Sequence, residues 1–93
     1  MSTLTQLEIT AYLTTAHGWK LDSGKLVREW RFSNFTEAMG FVNKVAELAE
    51  SAGHHPDIDI RYNKVQLGLV SHDVGGITKR DTKMATHLNK AFD

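Results

Sequence analysis

The sequence predicts an α+β fold, a two-layer sandwich in which a four-stranded antiparallel sheet packs against three helices in the order αββαββα. Two pairs of segments with alternating apolar and polar residues flank short turns, at Ser23-Gly24 and Asn63-Lys64, which is the pattern of β-hairpins. Three other segments repeat apolar residues every three or four positions, as helices do. A chain of 93 residues is typical of one domain, so residues 1–93 are expected to fold as a single unit.

Cap and turn residues define the first helix and the first hairpin. Thr5 is followed three residues later by a glutamate, which is the spacing of a capping box, and a helix is predicted over about 5–16. A two-residue turn at Ser23-Gly24 then places Leu21 opposite Leu26. The alternation of residue types in this hairpin puts both tryptophans on its apolar face.

The second helix is the most clearly periodic segment of the chain. Asn34 is a suitable N-cap and Gly53 a suitable end, and the apolar residues between them recur at steps of three and four. This stripe consists of Phe35, Ala38, Val42, Val45 and Ala49. Three further apolar residues lie off the stripe and are predicted to serve the core or a contact with a second subunit, namely Met39, Phe41 and Leu48.

The second hairpin is predicted to bring two histidines together. Asparagine tolerates positive φ, so Asn63-Lys64 is a suitable two-residue turn. That turn places Ile60 opposite Leu67 and, on the same register, His55 opposite His72. Directly opposed residues have Cβ atoms about 4.5–5.5 Å apart. A bulge in either strand would instead move His72 to the other face of the sheet.

The last helix is predicted over about 79–92. Gly75-Gly76 ends the preceding strand, and Thr78 with Asp81 repeats the capping-box spacing, with aspartate in place of the usual glutamate. Asp81 is therefore either a structural cap of this helix or a residue that takes part in chemistry, and both roles are open.

Composition limits the classes of function. Lysine and arginine together number 11, as do aspartate and glutamate, which argues against a nucleic-acid partner because that affinity depends on neutralising phosphates. The absence of cysteine excludes disulfides and thiolate chemistry. No apolar run is long enough to span a bilayer, and residues 1–5 lack the basic start of a signal peptide. We therefore expect a soluble cytoplasmic protein with no membrane partner.

The triplet His54-His55-Pro56 is the best candidate for a site of chemistry. Histidine both donates and accepts protons near neutral pH, because its ordinary pKa is roughly 6.5. With His72 nearby, the triplet predicts a proton-transfer or ligand site. A shared metal ion is disfavoured, because adjacent residues in an extended segment point to opposite faces.

From Glu50 onward the spacing of the polar residues is distinctive. Glu50 is followed after three residues by His54-His55-Pro56, after five more by Tyr62, after nine by His72 and after eight by Asp81. This pattern resembles the signature of the pterin-4a-carbinolamine dehydratases, and the resemblance extends over nearly the whole chain. The matching residues outside the signature include Gly18-Trp19, Phe32, Phe35, Asn63-Lys64-Val65 and Gly75-Gly76.

The resemblance implies a lyase that dehydrates 4a-hydroxytetrahydropterin to quinonoid dihydropterin and water, with no metal and no organic cofactor. It implies that His54 and His72 form the acid/base pair and that His55 binds and orients the pterin, so that these three form the catalytic set. The wider substrate site that it implies comprises the three histidines together with Trp19, Glu50, Pro56, Ser71, Asp73, Val74 and Asp81.

Several of these residues also fit purely structural roles. Trp19 fits a position in the core, Glu50 fits a solvated helix face, and Pro56 ends the helix before it. The isolated histidines His17 and His87 are expected to be structural or merely exposed.

The resemblance also implies partners. Members of the family form homodimers and homotetramers, take their substrate from aromatic amino-acid hydroxylases, and in some cases act as dimerisation cofactors for a transcription factor. We therefore expect a small-molecule pterin and further copies of this chain as partners. The alternative is a regulatory or dimerisation module with a vestigial site, and a weaker alternative is a pterin-related protein of another pathway.

Overall fold

Three helices and four strands follow one another in the predicted order αββαββα, so the predicted α+β fold is confirmed. The computed structural model describes residues 2–93, and the predicted domain bounds of 1–93 add only Met1, which lies outside the described residues. The elements are α1 (Gln6–Leu13), β1 (Lys20–Asp22), β2 (Lys25–Arg31), α2 (Phe35–Ala52), β3 (Asp57–Arg61), β4 (Lys64–Leu69) and α3 (Lys79–Phe92).

The four strands form one antiparallel sheet in the order β1-β2-β4-β3. β4 is therefore an inner strand although it comes last in the sequence, and both α2 and α3 contact it. Leu26, Leu67 and Leu69 from the two inner strands are fully buried. Burying a leucine side chain stabilises a fold by about 1.5–3 kcal/mol. The core thus lies beneath β2 and β4, whereas the edge strand β3 is exposed along its whole length.

The first hairpin has the predicted register. Leu21 pairs with Leu26, and the turn residues Ser23 and Gly24 have φ values of +51° and +78°. Positive φ at both central residues matches the twist of the flanking strands, which is why such turns are favoured in hairpins. Both tryptophans are buried on the core face, as predicted.

The predicted register of the second hairpin is wrong by two residues. Ile60 pairs with Val65 and not with Leu67, and the turn is formed by Tyr62-Asn63. The predicted pairing of His55 with His72 is therefore wrong as well. A shift of two residues keeps each side chain on its face of the sheet, but the paired residues of β3 begin only at Asp57, so His55 lies outside the strand.

Contacts with the neighbouring strand explain this register. The Asn63 carbonyl accepts a hydrogen bond from the Phe32 backbone N–H at 2.8 Å, and the Asn63 side-chain amide donates to the Phe32 carbonyl at 2.9 Å. These bonds hold Asn63 at the end of the β2–β4 ladder. Tyr62 takes the positive φ of +53° instead, a conformation that is uncommon for a bulky residue.

α1 is shorter than predicted, although its capping box at Thr5 is confirmed. The Thr14 hydroxyl donates to the Ala11 carbonyl at 2.7 Å, and the Thr15 hydroxyl donates to the Tyr12 carbonyl at 2.9 Å. Threonine hydroxyls compete in this way for carbonyls that would otherwise continue the helix. The regular helix therefore ends at Leu13.

α2 begins and ends at the predicted caps. The Asn34 side chain accepts from the Glu37 backbone N–H at 2.9 Å, and Gly53 follows the last turn. Phe41 is buried and packs against three aromatic rings, so its predicted place in the core is confirmed. Phe35, predicted to lie on the buried stripe, is 49% exposed. Across residues 2–93, no helix has the length and apolar content needed to cross a membrane.

Candidate active site

The predicted histidine His54 is held by a buried carboxylate. Its Nε2 lies 2.6 Å from Oδ1 of Asp81, which is fully buried, and the His54 side chain is only 13% exposed. Because an ionised carboxylate can only accept, Nε2 carries the hydrogen of this bond. Nδ1 has no hydrogen-bond partner among residues 2–93. The imidazole is therefore fixed through one nitrogen, and the other is available to a ligand.

The second oxygen of Asp81 caps α3. Oδ2 accepts from the Ser71 hydroxyl at 2.8 Å and from the Thr78 backbone N–H at 2.9 Å. The Ser71 and Thr78 hydroxyls are 2.8 Å apart, and since the Ser71 hydrogen goes to Asp81, Thr78 donates to Ser71. The predicted capping box is confirmed. All three side chains are buried, and burying polar groups is tolerated when each has a partner.

The end of α2 brings His54 to this carboxylate. Gly53 has a φ of +67°, the left-handed conformation that commonly ends helices, and the His54 backbone N–H bonds the Ala49 carbonyl at 3.2 Å. Pro56 disfavours a helical conformation in the residue before it. The chain therefore turns away from the helix and continues into β3 at Asp57.

His55 lies on the surface and pairs with Glu50 one turn back on α2. Its Nε2 is in contact with the Glu50 carboxylate, and the two side chains are 63% and 77% exposed. Exposed contacts of this kind add little to stability, about 0–1 kcal/mol even where both partners are charged. The pair is better suited to orienting the His55 ring than to holding the fold together.

His72 stands on a tight turn after β4. The turn is closed where the Ser71 backbone N–H bonds the Gly76 carbonyl at 3.0 Å, and Gly75 within it has a φ of +72°. The His72 side chain is 74% exposed, and its Nε2 lies 4.0 Å from Oδ1 of Asp57, too far for a hydrogen bond. Its imidazole is thus accessible to a ligand.

The three predicted catalytic histidines border one pocket of about 250 Å³. The residues that line it are Gly53, His54, His55, Val70, Ser71, His72 and Asp73. His72 reaches the pocket through the turn that follows β4, and not through the strand register that the sequence predicted.

Arg80 ties this turn to α3. Its guanidinium donates to Oδ1 of Asp73, and this hydrogen bond lowers the pKa of the Asp73 carboxyl below its ordinary value. Asp73 was predicted as a site residue, and Arg80 was not. The only sequence signal for Arg80 is its position beside Asp81 in the first turn of α3.

The remaining predicted site residues lie at or beyond the margin of the pocket. Pro56 and Val74 are half-buried neighbours of residues that line it. Trp19 lies in the core, where its ring packs edge-on against Trp30 at 5.9 Å and its Nε1 donates to Oδ1 of Asn89 at 2.8 Å. The structure therefore groups Trp19 with the core and not with the histidines.

Besides Arg80, three residues of the site were not predicted as such. Gly53 and Val70 line the pocket, and Thr78 supports Asp81. From the sequence, Gly53 and Thr78 are predicted only as helix caps. Their second roles, in lining the pocket and in bonding Asp81, depend on which loop packs against them. Within the described range, no three histidine, aspartate or glutamate side chains are grouped so as to hold a metal ion.

The sequence of this chain is similar to those of known proteins. Residues 2–91 match the family model described as pterin 4 alpha carbinolamine dehydratase. A protein of Koribacter versatilis is 53% identical over 88 residues, covering 95% of this chain and 94% of its own. A protein of Chloroflexus aurantiacus is 47% identical over 90 residues, covering 97% of each chain. Both bear the name pterin-4-alpha-carbinolamine dehydratase as a provisional assignment.

A solved structure agrees with the fold. The crystal structure of a protein of Brucella melitensis, described as a transcriptional coactivator/pterin dehydratase, is 34% identical to this chain. It superimposes with a TM-score of 0.87 and covers 96% of this chain and 97% of its own. The similarity thus includes all of the elements that position the histidines.

Proposed function

Because this chain belongs to the pterin 4 alpha carbinolamine dehydratase family, we propose that it removes water from a 4a-hydroxytetrahydropterin to give a quinonoid dihydropterin. The family is one of hydro-lyases. The observation that carries the proposal is the His54–Asp81 pair at the border of a pocket shared with His55 and His72.

The reaction needs one proton donor and one proton acceptor. The C4a–O bond breaks as the hydroxyl takes up a proton and leaves as water, while the lone pair of the neighbouring ring nitrogen forms the new carbon–nitrogen double bond. A proton then leaves a ring nitrogen. Hydroxide is a poor leaving group, so a positioned acid is the group that the slow step requires, and such groups contribute typically about 10²–10⁴-fold in rate.

We assign the donor to His54. Its Nε2–H is bonded to the buried Asp81 carboxylate, which orients the ring and fixes its tautomer, as the aspartate of a Ser-His-Asp triad does. The proton that reaches the hydroxyl is then the one on Nδ1. His72, which is exposed and borders the same pocket, is assigned the complementary proton transfer.

His55 is assigned to binding and orientation of the pterin. Its contact with Glu50 limits rotation of the ring without burying it. The predicted role of Ser71 and Asp73 as further pocket walls is consistent with their place in its lining.

The network around Asp81 favours catalysis over the alternative of a regulatory module with a vestigial site. Four buried or partly buried groups are arranged so that one carboxylate faces one histidine. Helix capping alone needs only Oδ2 of Asp81 and its bond from Thr78, and leaves the placement of His54 on Oδ1 unexplained.

The test is the dehydration of enzymatically generated 4a-hydroxytetrahydropterin, followed by absorbance. We expect the wild type to accelerate the reaction over buffer, and His54→Ala and His72→Ala each to lose about 10²–10⁴-fold of that acceleration. His17→Gln is the matched control, because His17 is an exposed histidine outside the pocket. A wild-type rate equal to that in buffer would reject the proposal.

A further inference from the structure

A second and larger groove of about 570 Å³ lies between α2 and α3 and also includes His54. The residues that line it are Leu48, Ser51, Ala52, His54, Arg80, Lys83, Met84 and His87. None of these residues is acidic, and Arg80 and Lys83 are basic. The dehydratase chemistry uses none of the groove except His54.

The basic side chains of the groove are incompletely paired. Arg80 is bonded to Asp73 through one terminal nitrogen, while its Nε is buried without a hydrogen-bond partner among the described residues. Lys83 and His87 take part in no ion pair within residues 2–93. They are four residues apart on α3 and therefore lie on one face of the helix.

The surface next to the groove is basic as well. A shallow depression along α3 shares Lys83 and His87 with the groove, and its lining adds Lys79 and Lys90. The whole chain has no net charge, so this is a local concentration of positive charge on a neutral protein. Such a surface raises the local concentration of anions.

The dimensions of the groove favour a small molecule over a polymer. Its volume lies within the range of about 300–1,000 Å³ that is usual for small-molecule sites. Leu48 and Met84 give it an apolar wall, and Ser51 adds a hydroxyl. Polyanions are bound by longer rows of cations than the few side chains present here.

We propose that this groove binds a small molecule that carries a phosphate monoester on an apolar or aromatic body. The phosphate would be bound by Arg80, Lys83 and His87, and the body would pack against Leu48 and Met84. A phosphate monoester offers three terminal oxygens and a charge of about −1.5 to −2 at neutral pH, which suits several separate donors better than a carboxylate does. The site is distinct from the dehydration pocket but adjoins it at His54.

Titration with phenyl phosphate, followed by the backbone amide and histidine NMR signals at constant ionic strength, tests the proposal. Phenol and inorganic phosphate are the control ligands, since each lacks one half of the expected ligand. Lys83→Gln and His87→Gln are the test variants, and both replace exposed side chains. Lys90→Gln is the matched control, because Lys90 lies on the same helix outside the groove.

We expect saturable binding of phenyl phosphate, with shifts centred on His87 and the last turn of α2. Lys83→Gln is expected to weaken the affinity for phenyl phosphate about fivefold or more, as the loss of a charged hydrogen bond does. The affinity of Lys90→Gln is expected to stay within about twofold of the wild-type value. Shifts that do not saturate, equal effects of Lys83→Gln and Lys90→Gln, or equal affinity for phenol or inorganic phosphate would each overturn the proposal. Binding is measured without turnover, so this outcome is independent of the dehydratase proposal.

Discussion

At the scale of single residues, Asp81 divides its two carboxylate oxygens between two tasks. Oδ2 completes the cap of α3, and Oδ1 holds His54. The two roles considered for this residue from the sequence, a cap and a member of the site, are therefore compatible. A carboxylate with partners on both oxygens is also what makes its complete burial tolerable.

Replacing Asp81 is expected to separate these tasks. Asp81→Asn retains one acceptor oxygen for the cap but presents an amide N–H₂ to His54, which favours the wrong tautomer, and turnover should fall by about 10²–10⁴-fold. Asp81→Ala should lose similar activity and in addition about 2–4 kcal/mol of unfolding free energy, because buried donors lose their partner. Urea unfolding and the dehydration assay measure the two effects. Equal stability of the two variants would contradict the capping role.

The sequence identifies the candidate histidines of the site more readily than the residues that support them. His54, His55 and His72 are recognisable because histidine pairs are unusual and their spacing resembles that of a family. Ser71 is predicted only as a pocket wall and Thr78 only as a helix cap, because their hydrogen bonds around Asp81 depend on the packing of a loop against α3. Arg80 likewise has no distinctive sequence signal, because its role depends on the turn containing Asp73 that lies beside it in the fold.

At the scale of elements, two glycines associated with α2 differ in backbone conformation. Gly40 lies inside the helix and Gly53 lies beyond its end at a φ of +67°. A Cβ added at either position would meet no atom within 4 Å, so backbone conformation alone decides the effect of a substitution.

The same substitution should therefore have opposite signs at these two positions. Gly40→Ala is expected to stabilise the protein by about 0.5–1 kcal/mol through helix propensity. Gly53→Ala is expected to destabilise it by about 1–2 kcal/mol, because L-residues are strained in the left-handed conformation. Gly53→Asn should be less costly than Gly53→Ala, since asparagine tolerates that conformation. Thermal unfolding measures all three, and a stabilising Gly53→Ala would contradict the assigned cap.

The helix starts that depend on local cap residues are predictable from the sequence, and the register of the second hairpin is not. The caps at Asn34 and Thr78 are set by residues a few positions away. The turn at Tyr62-Asn63 is instead set by Phe32, which is 31 positions from Asn63 in sequence. Local turn preferences depend only on neighbouring residues, so they cannot predict a register that depends on this distant contact.

At the scale of the whole molecule, the edge strand β3 leaves apolar side chains uncovered. Ile58 and Ile60 are each 38% exposed, and Tyr62 at the end of the strand is 65% exposed. An unpaired edge with exposed apolar residues favours association with another chain. We propose, in line with the homodimer or homotetramer expected from the family resemblance, that copies of this chain associate through β3.

Sedimentation velocity tests this association. The wild type is expected to sediment as a dimer or larger assembly, and Ile60→Lys should shift it to the monomer, because a lysine on an edge strand opposes pairing. Leu7→Lys is the matched control, since Leu7 is 81% exposed and lies on α1, outside the sheet. Circular dichroism shows whether the variants remain folded. A wild type that is monomeric at all concentrations would contradict the proposal.

The shared carboxylate of Asp81 also has a consequence for the dynamics of the protein. Helix ends generally open more readily than whole molecules unfold, and the cap formed by Thr78 and Asp81 lies at such an end. Each opening that frees the Thr78 N–H also removes the partner of His54. Under the proposed mechanism, the fraction of chains competent for dehydration at a given temperature is expected to follow this local equilibrium. On warming, activity should fade while the sheet and the remaining helical turns are still intact.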